Sequence, residues 1–344
     1  MSEPTVNNNR LNIGIIGAGR IGKVHAETLA FRVPEARALS ITDLNRAAAE
    51  QVASRCGIST VIDSADQMLA DPAIQAVLIC SSTDSHANLI VRAAQAGKHI
   101  FCEKPIAHSL ASIDAALAAV QQAGVKLQIG FNRRFDPNFA RVRAAVAGGE
   151  IGSPRLLHII SRDPAPPPLS YVKVSGGIFL DMTIHDFDLA RFLIGDEVEE
   201  VYAAAGVMVD SAIGEAGDFD TALITLRFRN GVIGVIDNCR QAAYGYDQRA
   251  EILGSAGKIA TENCYPNQAA ISTSQCVRRD LPFNFFMDRY IESYSNEIRS
   301  FVHSVLEDKP SAVTGLDGRV PVVMGLAARK SVEERRPVRL VEIQ

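Results

Sequence analysis

Short apolar runs and helical repeats alternate along the first third of the chain. Continuously apolar or β-branched runs at residues 11–16, 38–42, 76–80, 98–102 and 125–130 read as strands. Between them, positions repeating every 3.6 residues at 47–55, 86–96 and 112–123 predict helices, the last two closed by Gly97 and Gly124. Strand–helix alternation of this kind predicts a parallel, doubly wound α/β sheet.

Beyond residue 130 the pattern changes. A helix at 138–147 is followed by strands at 156–161, 199–204, 221–227, 232–237 and 249–254, mostly without helices between them. Such a run predicts an open, mostly antiparallel sheet. Arg162 to Pro168 (RDPAPPP) reads as a rigid polyproline-like loop, and helices at 289–307 and 319–334 close the chain. The expected division is a disordered polar tail at 1–10, a parallel α/β domain at 11–130, and an α+β domain at 131–344 carrying the substrate site.

One stretch of the second domain concentrates chemistry. In SGGIFLDMTIHDFDLARFL (175–193) two glycines precede an apolar-periodic run, which predicts a short loop feeding an amphipathic helix. Ile178, Leu180, Met182, Ile184, Phe187, Leu189, Phe192 and Leu193 supply its apolar face. Asp181, His185, Asp186 and Asp188 lie within the same run. Helical residues four apart share a face, so Asp181 and His185 can meet, and a carboxylate beside an imidazole prepares it as a general base.

The first domain offers a complementary pattern. Its opening strand ends in Gly17-x-Gly19-x-x-Gly22 and continues as a helix. In the dinucleotide fingerprint these glycines make the turn, admit pyrophosphate to the backbone and permit close helix–strand packing. Asp43, at the end of the second strand, stands where a carboxylate accepts the adenosine ribose hydroxyls. It would also repel a 2′-phosphate, which favours NAD over NADP. The polar loop Ser81-Ser82-Thr83 follows the third strand, with His86 opening the next helix. Glu103-Lys104-Pro105 follows the fourth, so Lys104 points into the nucleotide crevice.

Composition narrows the class. With 344 residues, 47% hydrophobic and 22% charged, the chain reads as a soluble enzyme or binding protein of two domains. A net charge of −4 gives no electrostatic footprint for nucleic acid or an anionic membrane. No apolar run approaches the roughly 20 residues of a membrane span, and MSEPTVNNNR lacks the apolar core of a signal peptide. The six cysteines form no CxxC pair, so free thiols in a reducing cytoplasm are expected.

GAGRIG, the strand-end EKP and the D-x-x-x-H after a glycine pair together resemble the family of glucose–fructose oxidoreductase and inositol dehydrogenase. The longer strings GFNRRFDPNF, SRDPAPPP, SGGIFLDMTIHDFD and YGYDQR look most like bacterial inositol 2-dehydrogenases. The resemblance covers nearly the whole chain after residue 10. It implies a Rossmann domain joined to an open-sheet domain, with NAD as cofactor, no metal, and a homo-oligomer, dimer or tetramer. It further implies Lys104, Asp181 and His185 as the catalytic group, and Lys104, Arg133, Asp163, Asp188 and Tyr246 at or near a cyclic polyol. Tyr244 and Arg134 match less closely. Gly17, Ala18, Gly19, Arg20, Ile21, Gly22, Asp43, Ser81, Ser82, Thr83, His86, Glu103 and Lys104 are implied on the cofactor side. The expected reaction is oxidation of a secondary alcohol, myo-inositol to its 2-ketone, with His185 as base, Asp181 orienting it and Lys104 stabilising the alkoxide. The same chemistry on scyllo-inositol or a pyranose is the nearest alternative. A metal-dependent hydrolase built on Asp181, His185, Asp186 and Asp188 would leave GxGxxG and EKP unexplained. A non-catalytic NAD sensor would leave the intact Lys104–Asp181–His185 set without purpose.

Overall fold

The computed structural model describes residues 10–343, so the tail expected at 1–10 lies, apart from Arg10, outside the described residues. The chain forms two units. The first comprises residues up to Gly130 together with Tyr294–Gly318, and the second comprises Phe131–Ser293 with the residues from Arg319 onward.

In the first unit β1 (Leu11–Ile16), α1 (Arg20–Phe31), β2 (Ala36–Thr42), α2 (Arg46–Cys56), β3 (Thr60–Val61), α3 (Ala65–Ala70), β4 (Ala76–Ile79), α4 (Thr83–Gln95), β5 (His99–Glu103), α5 (Leu110–Ala123) and β6 (Leu127–Gly130) alternate. The six strands pair in parallel in the order β3-β2-β1-β4-β5-β6. Leu11, Ile13, Leu78 and Phe101 are fully buried in its core, as their uninterrupted apolar runs require of a sheet covered on both faces.

The second unit opens with a 3₁₀ turn at Asn132–Phe135. It continues through α6 (Pro137–Ala147), β7 (Pro154–Arg162), α7 (Leu169–Val172), α8 (Ile178–Asp181), α9 (Thr183–Ile194), β8 (Val198–Gly206), α10 (Ser211–Glu215), β9 (Thr221–Phe228), β10 (Ile233–Cys239), β11 (Asp247–Gly254) and β12 (Lys258–Ala260). The hairpin β13 (Ala270–Ser272) and β14 (Val277–Arg279) precedes α11 (Phe286–Leu306), α12 (Gly315–Glu334) and β15 (Val338–Arg339). Its main sheet runs β12-β11-β7-β10-β9-β8-β15, antiparallel except where β10 lies parallel to β7.

Residues 294–318, placed by the sequence pattern in the second domain, cluster with the first unit. Ile298, Phe301 and Val302 of α11 are fully buried in the same core as Ile13, Leu29 and Phe101. Each such side chain contributes about 1.5–3 kcal/mol by leaving water. The periodicity of α11 reveals an apolar face but not which core receives it.

The run at 175–193 forms two helices rather than one. Gly177, at φ +82°, turns the chain into α8, whose first amide, Ile178 N–H, donates to Asp218 Oδ1 at 2.9 Å. Met182 joins α8 to α9. There the ladder tightens from a four-residue bond, Met182 N to Ile178 O, to a three-residue bond, His185 N to Met182 O at 3.3 Å. Nor is α9 amphipathic in the ordinary sense. Ile184, Phe187 and Leu189 are fully buried, and so are Thr183 and Asp186. It packs on β7, β10 and α6 as a core helix carrying polar groups inward.

Candidate active site

In the first unit the turn after β1 is built for close approach. Gly17 has φ +107°, and a Cβ there would sit 2.5 Å from the Cys80 carbonyl oxygen. A Cβ on Gly22 would fall 2.0 Å from the Gly17 carbonyl oxygen, so α1 can leave β1 this tightly only with glycine. At Gly19 the same atom would meet nothing within 4 Å, and no side chain caps α1. The Gly17–Ala18–Gly19–Arg20–Ile21–Gly22 turn therefore presents open backbone at a helix N-terminus without an acidic residue in the first turn.

Asp43 closes this cradle. Its Oδ2 accepts Ala18 N–H at 2.6 Å and its Oδ1 accepts Asn45 N–H at 2.7 Å. An ionised carboxylate offers about four lone-pair sites, so acceptor capacity remains for ribose hydroxyls. Ser82 stands at the N-cap of α4 without a capping hydrogen bond, Thr83 begins that helix, and Ser81 Oγ meets Ser85 Oγ at 2.6 Å. These groups fit a dinucleotide: a helix N-terminus for pyrophosphate, a carboxylate for ribose, and hydroxyls along the rim.

Two residues expected on the cofactor side are turned inward. His86 is buried, with Nδ1 2.8 Å from Pro105 O and Nε2 3.0 Å from Ser81 O. Glu103 is buried beside His25 Nε2 at 2.7 Å. Both hydrogen-bond to protein partners. Lys104 is half-buried, directly after β5.

In the second unit α9 carries its aspartates into buried ion pairs. Asp186 pairs with Arg133 and accepts Asn238 Nδ2–H at 2.9 Å. Burial raises the Asp186 carboxyl above its usual range, while Arg133 and the hydrogen bonds pull it back. Arg133 Nη2 also reaches Ser161 Oγ at 3.3 Å, and that hydroxyl donates to Gln248 Oε1 at 3.2 Å. Asp188 accepts Arg134 Nε–H at 2.9 Å and 3.1 Å in a forked pair. Arg133 and Asp188, expected at or near the polyol, each hold a buried ion pair. Tyr244 likewise donates to Asp247 Oδ2 at 2.6 Å and accepts from Arg162 at 3.0 Å.

Asp181, at the end of α8, accepts Tyr171 O–H at 2.8 Å and Arg240 Nη1–H at 3.2 Å. Arg240 is buried at 1% exposure and also faces Asp218 Oδ2 at 3.6 Å. His185 lies one turn on, with Phe131 edge-on at 6.1 Å between ring centroids. Asp163 ends the strand beside them. Burial foremost, with Asp181 and Asp186 adding repulsion against the pull of Arg240 and Arg133, pushes its carboxyl up to about 6. Tyr246 is buried, its ring edge-on to Tyr290 at 6.0 Å, and burial raises its phenol well above the usual value. Arg240, Tyr171 and Asn238 have no sequence reading, and no local pattern marks them, whereas Asp186 stands in the acidic run.

A glycine cradle at the end of the first strand of a parallel sheet is the turn of an NAD-binding Rossmann domain. Residues 11–131 match the oxidoreductase family with an NAD-binding Rossmann fold, and residues 139–260 match the GFO/IDH/MocA C-terminal domain. The chain belongs to the GFO/IDH/MocA family of oxidoreductases. It is 46% identical to a myo-inositol 2-dehydrogenase of Thermotoga maritima over 97% of this chain and 99% of that one. An inositol 2-dehydrogenase of Rhizobium meliloti is 46% identical over 95% of this chain and 98% of its own. A scyllo-inositol dehydrogenase from Lactobacillus casei, solved with NAD(H) and scyllo-inositol, is 30% identical with a TM-score of 0.90, covering 96% of this chain and 99% of that one. Among the described residues no helix is long and apolar enough to cross a membrane.

Proposed function

We propose that the chain oxidises myo-inositol to its 2-ketone with NAD. The observation that carries the reading is near full-length likeness to relatives named as inositol 2-dehydrogenases. Bound NAD would supply the hydride acceptor; the chain supplies binding, orientation and proton transfer. The start of α1 after Gly19 holds pyrophosphate and Asp43 holds the ribose. His185 takes the hydroxyl proton. Asp181, pinned from two sides by Tyr171 and Arg240, is a fixed carboxylate that orients the imidazole. Lys104 donates to the reacting oxygen and stabilises developing negative charge. Asp163 and Tyr246 provide an acceptor and a donor for the remaining hydroxyls.

A second reading, the same chemistry on scyllo-inositol, is favoured by the Lactobacillus casei relative solved with that isomer. The test is NADH formation at 340 nm across myo-inositol, scyllo-inositol, chiro-inositol and glucose. Highest kcat/KM with myo-inositol is expected; highest with scyllo-inositol would install the second reading, and activity on glucose alone would remove both. We also infer a cytoplasmic homo-oligomer. Leu156, Leu223, Ile233 and Leu253 leave 40–53% of their surface exposed on the open sheet, an apolar face suited to a second copy. A monomer by light scattering would contradict that.

A further inference from the structure

Lys104 is flanked on both sides by buried histidines that the proposed chemistry leaves unused. Its own side chain is a flexible four-carbon stem, and a firmly held backbone beneath it narrows where the ammonium can point. The residue before it, Glu103, turns its carboxylate inward. His25 Nε2, from α1, meets Oε1 at 2.7 Å, and the Glu103 carboxyl lies so close over β6 that a Cβ on Gly130 would be 3.0 Å from its Cδ. Phe101 and Tyr294 hold the His25 ring edge-on, at 5.1 Å and 5.7 Å between centroids. The residue after it, Pro105, has no N–H, so its carbonyl is the one backbone hydrogen-bonding group it can offer. His86 Nδ1, from α4, stands 2.8 Å from that oxygen, while its Nε2 faces Ser81 O at 3.0 Å. Both histidines are shut from solvent, at 0% and 1% exposure.

We propose that His25 and His86 are positioning residues for Lys104, acting through Glu103 and Pro105. The inference rests on the role given to Lys104 above. Each arm comes from a helix whose first turn borders the cofactor cradle: α1 after the glycine turn, α4 after the Ser81–Ser82 loop. The bracket therefore ties the lysine to the same backbone that receives the dinucleotide. Glu297 also approaches this cluster, and its ligand atom lies within 4.8 Å of those of His25 and Glu103. An ion held at about 2.1 Å would keep tetrahedral ligand atoms about 3.4 Å apart. The 2.7 Å His25–Glu103 contact is instead that of a charge-assisted hydrogen bond.

A double-mutant cycle reads the coupling. His25→Phe and His86→Phe are each made in the wild-type chain and in Lys104→Met, with kcat measured under saturating inositol and NAD. NADH affinity is followed separately by fluorescence quenching. A misplaced catalytic group costs up to about 100-fold, so each histidine variant should lower kcat about 10–100-fold when Lys104 is present. In the Lys104→Met background the further loss should be under about 3-fold, because there is no lysine left to misplace. NADH affinity should hold for His25→Phe and weaken for His86→Phe, which also frees Ser81. If His25→Phe fails to fold with Glu103 left unpaired, His25→Phe with Glu103→Leu removes both polar partners together. Equal fold-losses in both backgrounds would overturn the proposal, since the histidines would then act on the fold at large. Wild-type kcat in Lys104→Met alone would overturn the role of Lys104 itself, a different failure.

Discussion

Asp163, proposed above as a polyol contact, offers a titration that reports on its surroundings in the second unit. Its amide donates to Cys239 O at 2.9 Å and its carbonyl accepts Ala242 N–H at 2.7 Å, which fixes the residue at the end of β7. Although part of its surface reaches solvent, the crowded walls of its recess desolvate the carboxyl, and desolvation leads in pushing it up to about 6 from 3.8. The folded protein therefore binds this proton more tightly than the unfolded chain. That contribution to stability is complete below about pH 4 and is lost as pH rises through about 6. The whole shift corresponds to about 3 kcal/mol, and the part lost between pH 5 and pH 8 to about 1.4 kcal/mol. Asp163→Asn keeps the shape and cannot ionise. In urea unfolding followed by far-UV circular dichroism, the variant should gain about 1.4 kcal/mol on the wild type when the buffer moves from pH 5 to pH 8. A wild-type-minus-variant difference that is equal at both pH values would refute the reasoning. At pH 8 the variant should also raise KM for inositol about 10-fold or more, the worth of one charged hydrogen bond.

Three further outcomes follow from other contacts. Asp43→Ser removes the carboxylate that accepts Ala18 N–H and repels a 2′-phosphate. The ratio of kcat/KM for NAD over NADP should fall at least about 10-fold, and a wild type that prefers NADP would displace Asp43 from the ribose. Activity should survive exhaustive EDTA treatment and desalting, because Asp186 and Asp188 are committed to Arg133 and Arg134 and Asp181 to Arg240; loss restored by zinc or manganese would return the hydrolase reading. Arg134→Met removes the forked ion pair to Asp188, which is buried at 1% exposure, and should cost about 3–5 kcal/mol of unfolding free energy. A loss under about 1 kcal/mol would mean that the forked pair contributes little.

Much of the architecture was legible because its signals are local. The strand at 11–16 announces itself by an apolar run, and Gly17, Gly19 and Gly22 by their spacing directly after it. The mostly antiparallel character of the second sheet shows in strands that follow one another mostly without helices between them. What was not legible depends on long-range pairing. Asp181 and His185 were placed on one helix by their spacing, yet Asp181 ends α8 with Tyr171 and Arg240 as partners, 10 and 59 residues away in sequence. Arg133 and Asp188 looked like polar contacts for a ligand, and only the fold reveals Asp186 and Arg134 beside them. His86 read as a helix-start residue, and its two carbonyl partners, Ser81 O and Pro105 O, become visible only when β4 and β5 are set side by side.

The central claim is that His185 is the base in an NAD-dependent oxidation of inositol, and kcat of His185→Ala with myo-inositol tests it most directly. Loss of a general base lowers kcat by roughly 10²–10⁴. NADH affinity should be little changed, since α9 belongs to the second unit and the glycine cradle to the first. Raising pH should restore part of the rate, because hydroxide can take the proton that the imidazole no longer accepts. A His185→Ala enzyme that forms NADH from myo-inositol at the wild-type rate would contradict the account: α9 would then be structural, and the base would lie elsewhere.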